Sequence, residues 1–81
     1  MSTIEVSGCV HGRMPSEVEA SLALSNTAHR VAWWILSYSG GSTFLVLQGS
    51  PADLDWKLSA VSGWQEINRR ALTYAQEGVA R

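Results

Sequence analysis

Trp33 and Trp34 stand side by side in the longest apolar run of the chain, Val31 to Leu36. Neighbours on a strand point to opposite faces of a sheet. A strand here therefore presents Val31, Trp33 and Ile35 on one side, and Trp34, Leu36 and Tyr38 on the other. The next apolar segment repeats the pattern, with Phe44 and Val46 opposing Leu45 and Leu47. A sheet covered on one face only should show polar residues on its other face. Both sides of this pair of segments ask for burial. Either the fold covers both, or one side is an interface with another protein or a second copy.

Burying a Leu or an aromatic side chain fully is worth ~1.5–3 kcal/mol, so leaving several in water would forfeit much of a small domain's stability. Contiguous apolar patches mark contact sites, and Trp and Tyr anchor interfaces. We take Trp34, Leu36, Tyr38, Leu45 and Leu47 as candidate interface residues. Trp56, well off the inward stripe of its own segment, joins them.

Turn signals divide the rest. Ile4, Val6, Gly8 and Val10 alternate with Thr3, Glu5, Ser7, Cys9 and His11, the period of a half-buried strand over about 3–11. Gly8 is its weak spot and marks a bulge. Residues 17–25 also alternate, with Val18, Ala20, Leu22 and Leu24 on one side. A helix competes there, because Ser16 with Glu19 has capping-box spacing and Pro15 suits a helix start. Val18, Leu22 and Leu24 do not share one narrow helical stripe, so we expect a strand. Asn26-Thr27 is then a turn. Ser39-Gly40-Gly41-Ser42 reads as a hairpin turn between strands at 29–38 and 43–48. The 29–38 segment has a helical alternative too, since Val31, Trp34, Ile35 and Tyr38 fall at i, i+3, i+4 and i+7.

Ser50-Pro51-Ala52-Asp53 is a helix start: Ser50 can cap, Pro51 fits the first position, and Asp53 suits the positive end. Leu54, Leu58 and Val61 form its stripe, Asp53 and Lys57 an i,i+4 pair, and Ser62-Gly63 its end, giving a helix over 51–62. A second helix is expected over 64–77, with Trp64, Ile67, Ala71 and Tyr74 on one face and Glu66 paired to Arg70. The expected architecture is α+β: a four-stranded antiparallel meander followed by a C-terminal helical pair packed on one face, in a single domain spanning 1–81.

Composition narrows the functions. Of the 81 residues, 46% are hydrophobic and 16% charged, with net charge −1. Nucleic-acid binding is built from clustered Lys and Arg, so a chain this poor in cations is not expected to hold phosphate by overall charge. Arg69 and Arg70, with Lys57 and Arg81, make the one possible basic patch. Asp53, Asp55, Glu66 and Glu77 offset it, and a solvated surface is the simpler account. Cys9 is the single cysteine, which excludes an internal disulfide. The start has neither the basic nor the apolar region of a signal peptide, and Val31 to Leu36 is far short of the ~20 residues of a membrane span. We expect a soluble, cytoplasmic protein with no membrane contact.

Chemistry-bearing residues are sparse. Cys9 and His11 share a strand side, and a Cys–His dyad can generate a thiolate. No orienting third group or oxyanion site is identifiable, so an ordinary strand face is the better account. Cys9, His11 and His29, with Glu17 or Glu19, could supply zinc ligands, but their spacing lacks paired close ligands. Glu17 and Glu19 on one strand face read more simply as exposed carboxylates than as a catalytic pair. Gly40-Gly41-Ser42-Thr43 lacks the lysine and the helix of a phosphate loop. No enzyme, cofactor or metal is expected. The preferred reading is a small binding protein that occupies a surface of a larger protein. Such a profile is shared by phage- or mobile-element-encoded inhibitors, anti-CRISPR proteins among them. A homodimeric structural domain, a Cys/His metal protein or enzyme, and a weak nucleic-acid binder are the alternatives.

Overall fold

A computed structural model describes residues 2–72. The elements run β1 (Thr3–His11), α1 (Pro15–Ala23), β2 (Ala32–Ser39), β3 (Ser42–Gly49), α2 (Pro51–Ser59) and β4 (Trp64–Leu72). The strands form an antiparallel sheet in the order β2-β3-β1-β4. The α+β class with an antiparallel sheet is as expected, but the meander is not. Helix α1 lies between β1 and β2, and α2 between β3 and β4. Each helix links two strands that flank a third, which is the split β-α-β, ferredoxin-like arrangement.

The segment at 17–25 is helical, and the expected strand there is overturned. Pro15 opens α1, and the Met14 N–H donates to Glu17 Oε1 at 3.1 Å. Val18 and Leu22, one helical turn apart, are buried, whereas Leu24 is exposed. The apparent period of two came from that i,i+4 pair with Ala20 and Leu24 added by chance of composition. Glu17 and Glu19 therefore do not share a strand face. The end of α1 is closed by Lys57 of α2, whose Nζ donates to the Leu24 carbonyl at 2.8 Å and also to that of Leu22. The last carbonyls of a helix have no partner within it, and a cation there also meets the negative end of the helix dipole. Lys57 is thus buried and not part of a solvated basic surface. The chain then reverses at Ser25, φ 60°, and Asn26 Oδ1 accepts from the Val31 N–H at 3.1 Å.

Gly40 and Gly41 both hold positive φ, 61° and 78°, the backbone of a two-residue hairpin turn. Helix α2 starts as expected: Ser50 Oγ accepts from the Asp53 N–H at 3.2 Å. It ends at Ser59, earlier than the expected 62.

The expected helix at 64–77 is overturned from Trp64 to Leu72, and positions 73–77 lie outside the described residues. Strand β1 carries Val6 and Val10 into the core and already pairs with β3 on one edge. Its other edge needs a hydrogen-bonding partner, and β4 supplies it. That tertiary demand outweighs the helical spacing of Trp64, Ile67 and Ala71. The β1–β4 register shifts between Ser7 and Gly8, leaving Ile67 unpaired. Gly8 is required there. A Cβ at that position would run into the Gln65 carbonyl and lie 2.6 Å from Trp64 Cη2.

Residues on one side of the sheet, Ile4, Val6, Val10, Leu45 and Leu47, pack with Val18 and Leu22 of α1 and Leu54 and Leu58 of α2. Both helices therefore cover the same face. Among the described residues no helix is long and apolar enough to cross a membrane.

Two stability measurements follow. Gly8→Ala displaces the Trp64 indole and should cost ~1–3 kcal/mol in urea unfolding. Burial holds the Lys57 ammonium below its ordinary value of 10.5, against a smaller opposing pull from Asp53. The folded chain then binds fewer protons than the unfolded chain between those two values. Stability from this group therefore rises as pH climbs from the folded value towards 10.5. Lys57→Met should flatten that rise and cost ~1–3 kcal/mol at neutral pH, because two helix-end carbonyls lose their donor.

Candidate functional site

The sheet face opposite the helices is assembled in rows by the strand register. Trp34 faces Val46, Ser7 and Asn68 in turn, and Ser37 faces Phe44, Cys9 and Gln65. Ala32, Gln48, Glu5 and Arg70 form the row at one end, and Ser39, Ser42 and His11 the row at the other. The middle rows place Trp34, Val46 and Phe44 together, half-buried or exposed. The end rows are polar. An apolar centre with a polar rim is how protein interfaces are composed.

A bulge in β2 decides which tryptophan joins this face. Near the turn Tyr38 pairs with Thr43 and Ser37 with Phe44. Beyond the register shift Ile35 pairs with Leu45, Trp34 with Val46 and Trp33 with Leu47. Leu36 is the extra residue. Cross-strand partners share a face, so in an unbulged hairpin Trp34 would sit opposite Leu47 and face the core. The bulge instead turns Trp33 inward. Trp33 packs on the core cluster, and its Nε1–H donates to Glu19 Oε2 at 3.3 Å. Trp34 is left 50% exposed on the face that, among the described residues, no helix covers.

This geometry sorts the candidate residues. Trp34, Leu36 (63% exposed) and Tyr38 (50%) are all at the surface of β2. Trp34 and Tyr38 no longer share a face, because the bulge lies between them. Leu45 and Leu47 leave the candidate set. Both are buried against the helices, for the register reason just given. The partners that Trp34 does have, Val46 and Phe44, were assigned to the opposite face by strict alternation. Only the register shift, which composition does not announce, would have found them. Trp56, 45% exposed, is on α2, on the other side of the sheet. Its ring stacks on His29 with centroids 4.1 Å apart and planes at 12°.

Arg69 and Arg70 do not form a basic patch. They point to opposite sides of β4, Arg69 opposite Val6 and Arg70 opposite Glu5. Arg69 Nη2 donates to Asp55 Oδ1 at 3.1 Å and Glu66 Oε1 at 2.9 Å, and these bonds raise its pKa further. Arg70 Nε donates to Glu5 Oε2 at 3.1 Å, and Gln48 Nε2 to Glu5 Oε1 at 2.9 Å. The hydrogen bond from Gln48, then that from Arg70, hold the Glu5 carboxyl below the ordinary carboxylate range. Each arginine charge is thus matched locally, which leaves little free charge for a phosphate backbone.

Cys9 and His11 are close, with Sγ 3.8 Å from Nε2. His11 Nε2 also lies 2.7 Å from Gln65 Oε1, and Nδ1 lies 2.6 Å from Ser42 Oγ. A glutamine carbonyl only accepts, so Nε2 donates its proton to Gln65 Oε1, while Ser42 Oγ is the hydrogen-bond partner of Nδ1. An Nε2 that donates there has no lone pair to offer the Cys9 thiol. Ser42 is itself buried, and its hydroxyl orients the ring. His29 is not part of this cluster. Its Nδ1 lies 3.3 Å from Asp53 Oδ1 beside α2, across the sheet from Cys9 and His11. Among the described residues no group of three or more His, Cys, Asp or Glu converges as a metal site.

The two tryptophans should separate in stability measurements. Trp34→Ser should cost about 1 kcal/mol, less than the change at Trp33, because half of the indole is already exposed. Trp33→Ala uncovers the Leu47 row and should cost about 2 kcal/mol or more. Denaturant titration of both variants measures the contrast. Set against protein-family models, curated proteins and solved structures, the chain matches none, so the functional reading rests on this geometry.

Proposed function

We propose that the protein is a non-enzymatic binding module that occupies a surface of a larger protein through its uncovered sheet face. The observation that carries this is Trp34. It stands half exposed beside Val46 and Phe44, on the side of the sheet opposite α1 and α2. A tryptophan in that position exposes apolar area at a cost to the free protein, and a partner recovers it on binding. The matched polar groups at the rim, Gln48–Glu5–Arg70 and Ser42–His11–Gln65, suit the wetter edge of such a contact. They also keep His11 from serving Cys9, which removes support from a thiol enzyme.

Acting by occupying a surface is the mode of an inhibitor of the kind that phages and mobile elements encode, and the protein is proposed to work in that way, inside the cell. The pairing of Arg69 and Arg70 with carboxylates disfavours nucleic acid as the partner.

The test is a comparison of the parent chain with Trp34→Glu, both immobilised and exposed to host extract. Circular dichroism should show both folded. The parent should retain a host protein that the variant loses by at least tenfold. A folded Trp34→Glu that retains the same protein equally well overturns the reading.

A further inference from the structure

Among the described residues, strands β2 and β4 end the sheet. Alternate residues of an end strand direct N–H and C=O groups outward, a row that can template pairing with another strand. The two edges are unlike. Edge β4 carries Glu66, Arg69 and Arg70, side chains of the kind that keep an edge from pairing. Edge β2 reads Ala-Trp-Trp-Ile-Leu-Ser-Tyr-Ser, with no charged residue and no proline. Its exposed side chains include Trp34, Leu36 and Tyr38. The bulge at Leu36 bends the strand but leaves Ala32 to Ile35 in continuous register with β3.

We infer that β2 pairs antiparallel with β2 of a second copy of this chain, joining two sheets of four strands into one continuous sheet. The inference rests on the reading of the uncovered face and its β2 rim as a contact region, and names one partner for the rim. A second copy fits because self-pairing needs only hydrogen bonds and apolar contact, which β2 offers. No charge along the strand selects a different sequence or repels its own, and each chain carries a net charge of only −1. Antiparallel pairing of a strand with itself requires a two-fold axis perpendicular to the sheet. Both helix layers then lie on one side and both uncovered faces on the other. The Trp34 rings of the two copies meet near the seam and make one apolar strip from two.

The interface is small. If large side chains carry ~150–250 Å² each, the half-exposed Trp34, Leu36 and Tyr38 offer roughly 300 Å² per copy. Even with the backbone this falls short of the ~1,200 Å² at which standard stable interfaces begin. The association is therefore weak and concentration-dependent.

Sedimentation equilibrium from about 10 to about 500 µM, the range that resolves affinities weaker than micromolar, tests it. The average mass should climb towards twice that of the chain. Amide exchange at residues 32–35 should slow as concentration rises, with no such change in β4. Leu36→Lys, at an exposed position, should weaken association at least tenfold. Tyr38→Lys is the second variant, with the same expectation, should the first not fold. A mass independent of concentration, or lysine variants that associate as well as the parent, overturns the inference. A chain that stays monomeric yet loses a host protein on Trp34→Glu overturns only the pairing. A chain that dimerises through β2 with no partner sensitive to Trp34 supports the pairing and overturns only the reading of the face.

Discussion

One inserted residue in β2 controls which side of the sheet each tryptophan occupies. Leu36 shifts the register by a single position between Ile35 and Ser37. Because strand side chains alternate, that shift exchanges the two faces for everything upstream of it. Trp33 then lands opposite Leu47 and closes the edge of the core. Trp34 lands opposite Val46 and gives the uncovered face its largest apolar group. The same bulge separates Trp34 from Tyr38, so the exposed aromatics of β2 flank the rim and do not form one stripe.

The rest of the structure holds that hairpin in place. Strand β1 is central, bonded to β3 and β4, and its Val6 and Val10 lie beneath both helices. Lys57 fastens α2 to the end of α1 through the Leu22 and Leu24 carbonyls. A buried ammonium is costly unless it is hydrogen-bonded, and the helix end supplies acceptors where they would otherwise lack partners. Glu19 of α1 reaches the indole of Trp33 and ties the helix layer to β2. The side chains that sequence reading treats as solvated charge are in several cases the links between elements.

That arrangement pairs many of the polar and titratable side chains with one another. His11 is engaged on both ring nitrogens, by Ser42 and Gln65. His29 lies between Trp56 and Asp53 on the helix side. The two arginines of β4 meet carboxylates on opposite faces. Trp34 on the sheet face and the uncharged β2, by contrast, expose apolar side chains.

Strand β1, the Gly40–Gly41 hairpin and the start of α2 were legible in the sequence, because each depends on local geometry. Alternation, positive φ and a serine cap act over a few residues and need no distant partner. The chain also determined by itself that neighbouring tryptophans on a strand must part. Tertiary structure decided the rest. Helix α1 was hidden because two buried residues four apart, Val18 and Leu22, also satisfy a period of two. Strand β4 was hidden because its state is set by the open edge of β1, far away in sequence. Which tryptophan faced outward, and with it the exchange of Leu45 and Leu47 for Phe44 and Val46, depended on one residue of register. A bulge shows only in the pairing of the two strands, and the alternating pattern of side chains reads the same on either side of it.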